Sequence, residues 1–212
     1  MLSRTLCSVA TLAAILFHTS LALNIVIPGG TGPLGKLVAS KLSSHFVTIL
    51  SRNSFLASTP SRVTEDWGWV GRSYLDRNPH ITIRDWDGGD LLDIVGCDWM
   101  GWQDDALKPA TVVINLVGGY TQQRVMATER IVRESLSVNP NALQITVAPT
   151  EEDLQILTPG LFSMKAKRLK DCEDMVKNNC RNAVCLRLEA NELDKSCQTI
   201  LDAIATSNVA SE

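Results

Sequence analysis

Apolar and polar positions along this chain switch between two rhythms. Residues 23–27, 45–50, 80–84, 110–117, 142–147 and 182–188 are short apolar runs rich in Val, Ile and Thr, and they predict strands. Between and after them, residues 33–44, 121–137, 161–178 and 192–206 carry apolar positions at helical spacing. Alternating strands and helices predict a parallel sheet with crossover helices. The run at 110–117 is apolar on both faces, as a central parallel strand should be. Two stretches break the rhythm. Residues 54–79 hold Trp67-Gly68-Trp69 and Gly71, and residues 85–109 hold Trp86, Trp99 and Trp102. Connections this long are usually functional or partly helical, and their tryptophans either line a pocket or pack into the core. No internal repeat and no low-complexity tract interrupts the pattern.

The first strand run leads into Pro28-Gly29-Gly30-Thr31-Gly32-Pro33-Leu34-Gly35, followed by the first helical pattern. Strand, glycine-rich turn and helix is the setting in which glycines at this spacing bind a dinucleotide. Gly29 lets the chain turn out of the strand. Gly32 removes a side chain where a pyrophosphate approaches the backbone, and Gly35 lets the helix pack closely. The helix start presents free N–H groups and the positive dipole end to the phosphates. The second strand run ends in Ser51-Arg52-Asn53, with no Asp or Glu before Glu65. A ribose 2′-hydroxyl calls for an acid at this place and a 2′-phosphate for an arginine. Arg52 therefore favours NADP(H), with NAD(H) as the alternative.

Composition narrows the field further. The chain has 212 residues, enough for one domain, with 45% hydrophobic and 20% charged residues. A net charge of −3 and the lack of any basic run argue against nucleic-acid partners. His18, His45 and His80 are scattered and suggest no metal site. Six cysteines are present. Cys172, Cys180, Cys185 and Cys197 fall in the C-terminal part and read as buried thiols, or as the source of one disulfide in an oxidising compartment. Residues 1–22 differ in kind: a basic start at Arg4, an uncharged apolar run over 6–17, then Ser20 and Ala22 in small-x-small order. That is the layout of a signal peptide or other targeting segment ahead of a domain over 23–212. It implies the secretory route, or a plastid reached through it, with a mitochondrial or chloroplast presequence as the alternative. The apolar run is short for a bilayer span, so no integral span is expected in the mature chain.

Three segments together resemble the atypical and extended short-chain dehydrogenase/reductase superfamily, including its epimerase-like branch. Gly29-Gly30-Thr31-Gly32-Pro33-Leu34-Gly35 looks like its G-G-T-G-x-x-G turn, and Asn115-Leu116-Val117-Gly118-Gly119 like its N-x-A-G stretch. Asp85 stands where the family often places an aspartate near the adenine. The resemblance implies an α/β, Rossmann-like, doubly wound parallel sheet in a single domain. It also implies cofactor contacts from Ser51, Arg52, Asp85, Asn115, Val117 and Gly118 beside the glycine turn. The family's chemistry rests on Tyr-x-x-x-Lys, and here the departures begin. Lys165 fits the lysine, but the tyrosine position is then Leu161; with Lys167 instead, Ser163 stands there. After the fifth strand run the nearest hydroxyl is Thr150, and the nearest tyrosine to the 115–119 stretch is Tyr120. About two dozen residues follow Leu188, which implies a truncated substrate lobe. Two functions follow. One is an NADP(H)-binding protein without the catalytic pair, acting in redox sensing or regulation, with a protein partner. The other is an NADPH-dependent oxidoreductase or epimerase using Tyr120, Ser163 or Thr150 as substitute acid, with Lys165 on the nicotinamide ribose.

Overall fold

The structure is a computed structural model that describes residues 22–59, 70–89, 101–157 and 162–209. The targeting segment up to Leu21, together with Trp67, Gly68, Trp69, Trp99 and Leu161, lies outside the described residues. Six strands form one all-parallel sheet: β1 Asn24–Pro28, β2 Phe46–Ser51, β3 Ile81–Asp85, β4 Val112–Asn115, β5 Leu143–Pro149 and β6 Ala183–Leu188. Their order is β3-β2-β1-β4-β5-β6. The chain thus winds outward in one direction and then in the other from the gap between β1 and β4. In such sheets a ligand crevice opens outside the carboxyl ends of the strands at that gap.

Helices cover both faces: α1 Pro33–Lys41, α2 Ser54–Ala57, α3 Arg72–Arg77, α4 Gln122–Val138, α5 Glu151–Leu157, α6 Phe162–Asn179 and α7 Leu193–Val209. The period-two alternation of each strand feeds two cores. Ile25, Ile27, Ile49, Ile114 and Ile145 face α1 and α7, where Val38, Ala39, Ile200 and Ile204 meet them. Val26, Leu50 and Val113 face the opposite side, against Ala127 and Ile131 of α4. Trp86 and Trp102 lie in that second core, edge to face with ring centroids 5.7 Å apart. Among the described tryptophans, packing and not pocket lining is the outcome. Among the described residues no helix is long and apolar enough to cross a membrane.

Several predicted elements differ from those observed. The two long connections contain α2, α3 and a π-helical turn over Gln103–Leu107, and α5 lies where the sequence pattern predicts no helix. The fourth strand stops at Asn115 instead of Val117. The Asn115 side chain accepts a hydrogen bond from the Val117 N–H at 3.1 Å and turns the chain out of the sheet.

The side of α4 that packs on the sheet carries one buried ion network. Arg130 Nε lies 3.1 Å from Asp87 Oδ2, as an ion pair and not an aligned hydrogen bond. Arg130 Nη1 reaches Glu134 at 2.5 Å, and the guanidinium sits 5.8 Å from the Trp102 ring centroid. Removing one partner of a buried pair leaves an uncompensated charge. Asp87→Ala is therefore expected to lower the unfolding free energy by about 3 kcal/mol in urea titration at unchanged m-value. A loss under about 1 kcal/mol would mean that Glu134 alone neutralises Arg130.

Candidate functional site

The glycine turn after β1 and the loop after β4 meet at the carboxyl edge of the sheet, at the point where its winding reverses. Gly29 has φ +73°, a conformation that L side chains rarely adopt. A Cβ there would also stand 2.7 Å from the Leu116 carbonyl group and the Val117 Cα, so the loop after β4 presses directly on the turn. A Cβ on Gly35 would stand 2.4 Å from Gly30, so the first turn of α1 packs backbone to backbone on the glycine turn. A Cβ on Gly30 would meet Ile27 at 2.8 Å. Gly32 is different. As the cap residue of α1 it has ordinary extended backbone, φ −72° and ψ 171°, and a Cβ there would meet nothing within 4 Å. Neither the fold's packing nor its backbone asks for glycine at this position. Pro33 occupies the first helical position, where its missing N–H costs nothing. Thr31 and Leu34 are half-buried beside it.

The other expected cofactor residues divide into those left open and those occupied inside the protein. Arg52 is exposed, and its stem lies over the turn after β3: a Cβ on Gly88 would stand 2.7 Å from Arg52 Cδ. Ser51 ends β2 half-buried. Gly118 is exposed, with nothing within 4 Å of an added Cβ, and Val117 is half-buried beside it. Asp85 accepts from the Ser54 N–H at 2.6 Å and the Ser54 hydroxyl at 2.9 Å, so its carboxylate holds the start of α2. Asn115 is buried with both amide atoms engaged, by Val117 N–H and by the Thr128 hydroxyl at 3.0 Å. These two shape the loops around the crevice.

The four catalytic candidates are also separated by their surroundings. Thr150 caps α5: its hydroxyl accepts from the Asp153 N–H at 3.2 Å and bonds the Asp153 carboxylate at 2.9 Å. Asp153 also accepts from the Ala190 N–H at 2.9 Å and so ties the loops after β5 and β6 together. Ser163 is exposed on α6. Tyr120 is half-buried against the cluster of Ala148, Leu154 and Leu169. Burial pushes its phenol up, Arg124 pulls it down and Asp153 pushes it up again. Lys165 Nζ lies 5.5 Å from the Tyr120 ring centroid, so a tyrosine and a lysine meet here from a loop and a helix. The four C-terminal cysteines are free thiols. Burial raises Cys185 and Cys197, and raises Cys180 to about 11, which opposes thiolate chemistry. No group of three or more His, Cys, Asp or Glu that could hold a metal occurs among the described residues.

Sequence reasoning missed Arg124. It is 7% exposed on the first turn of α4 and donates to the carbonyls of Gly119, at 3.5 Å, and Val147. A signal was present: Arg124, Ala127, Thr128, Ile131 and Ser135 share one helical stripe, which places an arginine on a core-facing line.

No family model matches the chain, and no curated protein matches it. Solved structures do. A protein of Thermus thermophilus assigned as a short-chain oxidoreductase has a TM-score of 0.57 at 15% identity, over 85% of this chain and 95% of that one. The NADH-dependent reductase A1-R′, solved with NAD, gives 0.56 at 13% identity, over 85% and 87%. The Bordetella bronchiseptica enzyme WbmG, solved with NAD and UDP, gives 0.53 at 13% identity; 81% of this chain is covered, but only 55% of that one. The α/β Rossmann-like sheet is therefore a fold shared with a short-chain oxidoreductase and with an NADH-dependent reductase solved with NAD, and the chain spans about half of WbmG.

The glycines separate fold from ligand by experiment. Gly35→Ala should cost about 1–3 kcal/mol, because two backbones must move apart. Gly32→Ala should leave stability unchanged or raise it by about 0.4–1 kcal/mol, since Ala restricts the unfolded chain. Thermal unfolding of both variants checks this, and equal losses would show that the turn is packed tightly throughout.

Proposed function

We propose that the protein binds NADP(H) across the gap between β1 and β4 and acts as a cofactor-binding, redox-sensing or regulatory protein. The observation that carries this is Gly32. It is a glycine in ordinary extended backbone, at a helix start, facing open space, where only a ligand's close approach gives the missing side chain a purpose. Free N–H groups at the start of α1 would receive the pyrophosphate. Arg52, exposed at the end of β2, would receive the 2′-phosphate. Gly118 leaves room beside the turn, and Lys165 lies within reach of the loop that carries Tyr120. The cofactor would supply a hydride when bound. A binding role is favoured because the chain places leucine four residues before Lys165, and leucine transfers no proton. A targeting role for residues 1–22 remains part of this proposal, with a protein partner reading the cofactor state.

NADPH at about 100 times its dissociation constant adds about 2.7 kcal/mol, a rise in melting temperature of roughly 5–10 °C for a domain of this size. Gly32→Val should remove that rise while the protein stays folded. Arg52→Ala should weaken NADPH by roughly ten- to a hundredfold and leave NADH nearly unchanged. No shift with either dinucleotide at millimolar concentration would refute the proposal.

A second function has one contact in its favour. Lys165 Nζ against the Tyr120 ring unites the two residue types that the related reductases use, drawn here from separate elements. Burial raises the Tyr120 phenol, so it would enter the reaction carrying the proton that carbonyl reduction takes up. In a screen of carbonyl compounds with NADPH, Tyr120→Phe should then lower the rate by roughly 10²–10⁴-fold. An unchanged rate would exclude Tyr120 as the acid.

A further inference from the structure

A cavity of about 190 Å³ opens at the carboxyl edge of β5 and β6. Its walls are Leu34 on the first turn of α1, Val147 and Pro149 at the end of β5, and Leu188 and Leu193 around the end of β6. One cationic side chain, Arg124, lines it. The Arg124 guanidinium is nearly sequestered from solvent and, among the described residues, forms no ion pair with a carboxylate. Its hydrogen-bond acceptors are two backbone carbonyls, Gly119 and Val147. Carbonyls satisfy N–H donors without cancelling a charge, and a guanidinium has five such donors. The acidic groups nearby are already engaged. Glu173 is held by Arg187 at 2.7 Å, and Glu189, on the cavity wall, is held by Lys195. The thiol of Cys172 and the phenol of Tyr120 are the other titratable groups acting on Arg124. Burial of a guanidinium that has no carboxylate of its own is costly, since Glu173, which acts on it, is shared with Arg187, and an anion in the cavity would offset that cost.

We propose that this cavity is a subsite for a small organic carboxylate, with Arg124 as its anion anchor. The chemistry of the walls selects the class. Free phosphate needs donors on several sides, whereas a largely aliphatic wall with one planar fork fits an apolar body bearing a carboxylate. The proposal deepens the dinucleotide function and rests on it, because Leu34 joins the cavity to the helix start that would hold the pyrophosphate. It gives the ligand class on which a bound cofactor would act or report.

Isothermal titration of the full chain tests this with three probes: 4-methyl-2-oxopentanoate, its methyl ester, and inorganic phosphate, each with and without NADPH. The acid is expected to bind at least roughly tenfold more tightly than the ester, the measure of a charge-assisted fork. Phosphate should bind no better than the ester. Arg124→Gln should erase the preference for the acid, and Arg124→Lys, which keeps charge but not the fork, should keep part of it. Equal binding of acid and ester, phosphate binding as tight as the acid, or an unchanged preference in a folded Arg124→Gln protein overturns the proposal. The acid–ester comparison is made on the wild-type chain, so it decides even where Arg124→Gln fails to fold. NADPH binding without acid binding would leave the cofactor proposal standing and this one refuted. Acid preference without NADPH binding would do the reverse.

Discussion

Backbone meets backbone at two points on the carboxyl edge of the sheet, and the rest of the crevice is arranged around them. Gly29 lies against Leu116 and Val117, and Gly35 lies against Gly30. Neither contact leaves space for even a methyl group. Together they hold the start of α1 over the gap between β1 and β4, where the winding of the sheet reverses. Once that position is set, the helix start, the open face of Gly32 and the cavity-wall residue Leu34 are fixed relative to one another. Moving α1 outward by the width of a side chain would uncouple them. The close contacts are thus the mechanical condition for a binding edge, and the open position between them marks where the protein stops and a ligand would begin.

Long periodic elements were legible in the sequence because burial imposes their spacing. Short ones were not. Helices α2, α3 and α5 have four, six and seven residues, too few for a 3.6-residue period to declare itself. Two of the three are specified by caps instead: Asn53 accepts from the Leu56 N–H at 2.8 Å, and Thr150 from the Asp153 N–H. The fourth strand was overextended for a related reason. Leu116 and Val117 are apolar, yet a single side-chain bond from Asn115 ends the strand before them.

The glycine turn was readable because its residue types are dictated by sterics. The duties of Asp85 and Asn115 were not. A carboxylate or amide beside a crevice can face outward or be engaged by its neighbours, and spacing does not distinguish the two. Here Ser54 takes up the Asp85 carboxylate, and Thr128 with Val117 takes up the Asn115 amide. Arg52 illustrates the same limit from the other side: its place at the end of β2 was evident, but not that its stem lies across Gly88 and so depends on the loop after β3.

Helix α4 shows how the fold treats polar groups on a buried line. Thr128 is bonded by Asn115 at 3.0 Å, and Ser135 by Gln144 at 2.6 Å. Arg130 is matched by two carboxylates, Asp87 and Glu134, and by the face of Trp102. Each of these groups is answered in kind, hydroxyl by amide and cation by anion. Arg124 departs from that rule, because its hydrogen bonds go to backbone carbonyls and the carboxylate that acts on it, Glu173, is itself paired with Arg187. Those carbonyls come from the loop after β4 and the end of β5, two margins of the crevice, so the guanidinium also fixes the distance between them. Burial lowers its proton affinity, yet an arginine keeps its charge through any such shift. A charge held in place by backbone carbonyls, beside a carboxylate already paired with Arg187, is preorganised for an incoming anion, and on this helix it occurs at the end nearest the crevice.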